Sequence, residues 1–151
     1  MGINSQSVTL LDRFSNKTSI TVDFTSATWN TIATHELFTV TGLVRYLLVP
    51  RCTEDLTAGA GGTIKLGVEG ATNYLIAATL FSLIDNGLIW MDATPSNRYA
   101  FTAGLDRLSN GADIGYEIET NAFTDGTMIF DCYWEAISDD GNVVAGAGGA
   151  L

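Results

Sequence analysis

The feature that most constrains the fold of this chain is a hydrophobic period of two residues, which dominates from residue 18 to residue 137. The stretch TMIFDCYWEAI shows this period most clearly, and GTIKLGVEG and DIGYEIET repeat it. In the first stretch the buried set is predicted to be Met128, Phe130, Cys132, Trp134 and Ala136. Side chains of a β-strand point alternately to opposite faces, so the pattern predicts strands with one buried face.

Turn signals separate these strands at spacings mostly near a dozen residues. They are TAGAGG, IDNG, ATPSN, LSNG, FTDG and SDDGN. Short strands with turns at this spacing predict an all-β fold, a single antiparallel β-sandwich of eight or so strands. A jelly roll and an immunoglobulin-like sandwich both fit this pattern.

Two segments support more specific predictions. LVRYLLVPRC is almost continuously apolar, which predicts a strand covered on both faces until Pro50 removes a backbone donor. Residues 71–93 could hold a short helix or two strands. The tight-turn signal of Asp85-Asn86-Gly87 favours a hairpin there.

Composition limits the partners that the chain can have. At 151 residues it has the length of one domain, and its 7 Lys and Arg against 17 Asp and Glu give a net charge of −10. That charge repels nucleic acid and anionic lipid, so neither is an expected partner. Only 16% of residues are charged, and a surface with so few charges is usually partly covered by something. The two cysteines, Cys52 and Cys132, lie in strand-like runs, and we expect both to be reduced and buried. Without a signal-peptide pattern at its start, the chain is expected to be made in the cytoplasm.

No catalytic or metal-binding set is visible in the sequence. A single histidine, His35, provides neither a nucleophile–base pair nor, with two distant cysteines, a zinc site. The carboxylates of DIGYEIET lie on the polar side of one predicted strand, where a solvated face is the simpler interpretation. SDDGN lacks the ligand spacing of a calcium loop, and TAGAGGT lacks the lysine of a phosphate-binding loop. We therefore predict a protein that is not an enzyme and has no cofactor and no metal.

Both ends of the chain are unusually apolar and suggest arms. We divide the chain into an N-terminal arm at 1–17, a β-sandwich domain at 18–142 and a C-terminal arm at 143–151. An uncharged glycine-rich tail can follow the surface of a neighbour closely, so its deletion is expected to leave the fold intact and to weaken assembly. Trp29, in a Thr-rich stretch, is the tryptophan hardest to place in a core. The candidate contacts with a partner are Val8, Leu10, Leu11, Phe14, Trp29, Val143, Val144 and Leu151.

Three segments make the chain resemble small structural proteins of tailed bacteriophages. They are TSATWNTIATHELFTVTG, GTIKLGVEGATNYLIAATL and MIFDCYWEAISDDGNVVAGAGGAL. Within that class the chain looks most like a capsid decoration, or cement, protein. The resemblance implies a jelly-roll-like body that forms a homotrimer on the outer surface of the head, binds the major capsid protein and stabilises the virion.

Two other functions remain open at this point. One is a carbohydrate- or host-surface-binding module of a phage fibre, for which Trp29 is the best contact. The other is a tail tube or baseplate component, which the all-β pattern equally allows.

Overall fold

The computed structural model describes residues 14–100 and 105–151, and it confirms the predicted all-β fold. Nine strands form two antiparallel sheets, and no α-helix occurs in these two ranges. A 3-10 turn at Phe81–Leu83 follows the fifth strand. The strands are β1 Asn16–Asp23, β2 Thr34–Thr41, β3 Leu43–Ala58, β4 Thr63–Val68, β5 Ala71–Leu80, β6 Arg107–Asn110, β7 Ile114–Glu119, β8 Phe123–Ala136 and β9 Asn142–Ala145.

The order of the strands is that of a jelly roll with one added strand. Sheet A has the order β1-β8-β3-β6, and sheet B has the order β5-β4-β7-β2-β9. Neighbouring strands therefore include β1 with β8, β2 with β7, β3 with β6 and β4 with β5. These are the pairs expected when one long hairpin folds over into two sheets. This winding confirms the jelly-roll-like alternative and places β9 outside the eight-strand pattern.

The core lies between the sheets, where the alternation predicted it. Met128, Phe130 and Cys132 of β8 are fully buried, and β7 contributes Ile114, Tyr116 and Ile118 from the opposite sheet. The Tyr116 and Phe130 rings stack with centroids 6.0 Å apart. Each large apolar side chain removed from water contributes about 1.5–3 kcal/mol to stability. Burial of the apolar residues that recur with a period of two therefore drives the packing of the two sheets.

The segment after β5 differs from the hairpin that the sequence predicted. The tight turn is present, because Leu88 N–H donates to the Asp85 carbonyl at 3.0 Å and Gly87 has a φ of 87°. The chain then pairs with β3 rather than with β5. Cys52 N–H donates to the Leu88 carbonyl at 2.8 Å, and Trp90 N–H donates to the Pro50 carbonyl at 2.9 Å. Strand β3 extends well past β6. This segment pairs with backbone N–H and C=O groups of β3 that would otherwise lie unpaired at the edge of the sheet.

The C-terminal residues also differ from the prediction, since 143–151 lie against the body of their own chain. β9 pairs with β2, and Val143 is only 2% exposed. Beyond the strand, Gly146 N–H donates to the Leu37 carbonyl at 2.7 Å and Glu36 N–H donates to the Gly149 carbonyl at 2.8 Å. Without this segment β2 would be an edge strand with unpaired donors and acceptors. The predicted C-terminal arm is thus the fifth strand of sheet B and its continuation.

Candidate interaction surface

The outer face of sheet A carries an ion-paired cluster around one buried carboxylate. This face consists of the side chains of β1, β3, β6 and β8 that point away from sheet B. Asp131 of β8 is only 6% exposed, and it accepts a hydrogen bond from the Ser19 hydroxyl on β1. Lys17 Nζ and Arg51 Nε each lie 3.4 Å from its carboxylate oxygens. One carboxylate therefore ties three adjacent strands of the face, β1, β8 and β3, together.

A second cluster on the same face surrounds Arg45 of β3. Its Nε lies 2.9 Å from the Glu135 carboxylate, and its Nη1 lies 3.8 Å from that of Asp106. The two clusters together hold three cations and three carboxylates. Because the whole chain has 7 cations and 17 acidic residues, its net charge of −10 lies entirely outside these pairs.

Apolar side chains lie among the ion pairs. Leu108 of β6 is 62% exposed and sits opposite Arg45 in the β3–β6 pair. Phe14 packs against the same face, where the Arg45 guanidinium lies over its ring at 4.9 Å from the centroid, but the residue is only 9% exposed. The predicted contacts Val8, Leu10 and Leu11 lie outside the described residues.

Trp29 is not the exposed platform that the sequence suggested. It is partly buried against the core, and its ring lies 6.5 Å from that of Tyr116. The Tyr116 hydroxyl donates to its carbonyl, and the close approach of Gly148 covers part of the indole. Of the predicted C-terminal contacts, Val143 is in the core and Leu151 is half-buried against Gly115, whereas Val144 is exposed. The structure does not bring these residues together with Phe14 into one surface.

The polar residues considered for chemistry have structural partners. His35 is buried, and its two ring nitrogens lie 2.9 Å from the carbonyl oxygens of Thr28 and Thr31. Glu117 and Glu119 lie 3.0 Å and 2.8 Å from Lys65 Nζ. The Thr72 hydroxyl donates to Glu117, and this hydrogen bond, with Lys65, lowers the pKa of that carboxyl.

Both cysteines are free and buried, as predicted. Burial raises the pKa of Cys52 to about 11 and that of Cys132 to about 12, so both thiols stay protonated and unreactive at neutral pH. Within residues 14–100 and 105–151, no group of three or more His, Cys, Asp or Glu is placed to hold a metal ion. The same ranges contain no helix long and apolar enough to cross a membrane.

Comparison with protein-family models, with curated proteins and with solved structures found no match. The class that the strand order and the surface define is a jelly-roll β-sandwich whose outer sheet A face carries two charge-balanced ion-pair clusters. Sequence reasoning did not identify that face. The signal was available in LVRYLLVPRC, where Arg45, Leu47, Val49 and Arg51 recur with a period of two.

Proposed function

We propose that this chain is a virion structural protein of the capsid decoration type, which binds the outer surface of a bacteriophage head as a homotrimer. The observation that carries the proposal is the outer face of sheet A. It carries two charge-balanced ion-pair clusters in a chain of net charge −10, and Phe14, at the end of the apolar N-terminal segment, packs against Arg45 of one cluster. Acidic bodies repel one another, so these balanced clusters are where copies of this chain and a capsid surface can approach at the lowest electrostatic cost.

The internal ion pairs of this face also suit a repeated contact. Each cation of the two clusters already has a carboxylate partner in the same chain, so a neighbour that covers the clusters leaves none of their charges unpaired. The exposed Leu108 then supplies apolar area at the contact. Binding at many equivalent sites on a head multiplies a modest contact of this kind through effective concentration. The partners in this proposal are further copies of the chain and the major capsid protein.

The test compares Leu108→Asp with Ile32→Asp, because Leu108 and Ile32 are similarly exposed, at 62% and 57%, but Ile32 lies in the β1–β2 loop. Native mass spectrometry of the purified chain should show a trimer, and the chain should sediment with expanded heads assembled from the major capsid protein of the same genome. Leu108→Asp should reduce both trimer and head binding at least tenfold, whereas Ile32→Asp should retain them. Circular dichroism checks that both variants are folded.

A wild-type chain that is monomeric and does not bind heads would refute the proposal. A ring of six in the same experiment would indicate a tail tube component instead. Specific binding on a glycan array, without head binding, would indicate a fibre module.

A further inference from the structure

A small cavity lies between the two sheets beside β3. It has a volume of about 40 Å³. Most of its lining is apolar and includes Leu48, Leu66 and Ile76. Two polar side chains, Tyr46 and Arg107, also line it, and they are paired residues of β3 and β6. The cavity therefore combines an apolar wall with two hydrogen-bonding groups on neighbouring strands.

The Tyr46 hydroxyl is the unusual group at this site. Tyr46 is fully buried, and among the described residues its hydroxyl has no hydrogen-bond partner. Buried hydroxyl groups in folded proteins are almost always hydrogen-bonded to protein or to ordered water. Burial also raises the pKa of Tyr46, so the phenol keeps its proton and remains a donor.

The size of the cavity determines what can satisfy this hydroxyl. A water molecule needs roughly 10–15 Å³ of such volume, and it is stable in a protein interior when it has two or more polar partners. A volume of about 40 Å³ admits a few waters, but it is far below the roughly 150 Å³ of a cavity that holds a benzene-sized molecule. Leu105 and Arg107 at the rim are only half-buried, so the cavity reaches toward solvent.

We propose that this cavity is a binding site for ordered water, which bridges the Tyr46 hydroxyl on β3 to the Arg107 guanidinium on β6. The guanidinium has only N–H donors, and water can accept one of them while it exchanges a hydrogen bond with the phenol. The water thereby links the short edge strand β6 to the long strand β3 inside the sandwich. This site is independent of the proposed function.

The experiment combines an atomic-resolution crystal structure of the full chain with urea unfolding of Tyr46→Phe. Water should be visible within hydrogen-bond distance of Tyr46 Oη in the wild-type protein. Tyr46→Phe should lose that water and should unfold at a lower urea concentration, because the water loses one of its partners. An empty cavity in the wild type, or an unchanged or raised midpoint in Tyr46→Phe, would overturn the proposal, since removing an orphaned buried hydroxyl relieves a penalty.

Tyr116→Phe is the matched control. Tyr116 is equally buried, but its hydroxyl donates directly to the Trp29 carbonyl. Its substitution should lower the urea midpoint and leave the water beside Tyr46 in place. Loss of that water in Tyr116→Phe, in which Tyr46 is intact, would show that Tyr46 and Arg107 do not suffice to hold it and would also count against the site.

Discussion

Gly148 is the position at which the docking of the C-terminal segment can be tested most sharply. Its φ of +77° lies in the left-handed region, and a Cβ there would lie 2.8 Å from Thr28 Cγ2 and 3.0 Å from Trp29 Cζ3. Its neighbour Gly149 is free of both constraints, since a Cβ there meets no atom within 4 Å. Gly148→Ala should therefore disturb the segment, and Gly149→Ala should not.

The expected magnitude follows from two competing costs. Keeping the substituted residue in the position of Gly148 costs about 1–2 kcal/mol for the left-handed backbone and about 1–3 kcal/mol for overpacking. Releasing the segment instead loses the hydrogen bonds from Gly148 N–H to the Glu36 carbonyl, from Glu36 N–H to the Gly149 carbonyl and from Leu151 N–H to Thr34 Oγ1. Each of these contributes about 0.5–1.5 kcal/mol, and release also regains chain entropy. The protein adopts the alternative of lower free energy, so we expect Gly148→Ala to lower the free energy of unfolding by about 2 kcal/mol.

Urea unfolding and two local probes measure this effect. The emission of Trp29 should shift to the red in Gly148→Ala, because Trp90 and Trp134 are buried and Trp29 is the tryptophan that contacts Gly148. The amide of Glu36 should lose protection from hydrogen exchange, because its acceptor is Gly149. Gly149→Ala should stay within about 0.5 kcal/mol of the wild type. Equal stabilities and equal exchange rates in the two variants would refute the docked position of residues 146–151.

Two further substitutions test the outer surfaces of the sheets. Asp131→Asn removes the shared partner of Lys17 and Arg51 and should lower the free energy of unfolding by about 1–3 kcal/mol, measured by urea titration. Because both cations are about half exposed, the loss should shrink in high salt, and a salt-independent loss would argue against the ion pairs as its source. Thr72→Val removes the hydroxyl that, more than any other group, lowers the pKa of Glu117. A carboxyl with a lowered pKa contributes stability that is present above its ordinary pKa and is lost as pH falls through the lowered value. The wild type should therefore lose more stability than Thr72→Val on acidification, and parallel curves of melting temperature against pH would contradict this assignment.

The predictions that held are those based on side-chain alternation. The sequence predicted β4, β7 and β8 because the apolar residues of each strand recur on one face. In β8 the predicted residues are buried as far as Trp134. The C-terminal segment was placed wrongly because its contacts are mainly backbone hydrogen bonds to β2. A run of glycine and alanine has the same appearance in sequence whether it follows its own sheet or that of a neighbour. We therefore expect deletion of 143–151 to destabilise the fold rather than leave it intact. The deletion would expose the edge of β2 and remove Val143 from the core.

For the interaction surface, too, the sequence reveals the local pattern but not the contacts between residues far apart in the chain. The alternation of Arg45 and Arg51 with apolar residues was visible in sequence, but their carboxylate partners were not. Asp131 lies 80 residues after Arg51, and their pairing depends on the register of β3 against β8. A shift of one residue in that register would turn Asp131 toward the core.

The sequence by itself determined that this chain forms a two-sheet sandwich, because a period of two with frequent turns leaves one face of each strand to bury. It also determined that the chain has one histidine, His35, and therefore one side chain that could act as an imidazole base. Only the tertiary structure decided which edge the last residues cover, which charges neutralise one another and that these ion pairs lie on the outer side of sheet A. Those outcomes depend on strand order and register, which arise from packing between residues far apart in the chain.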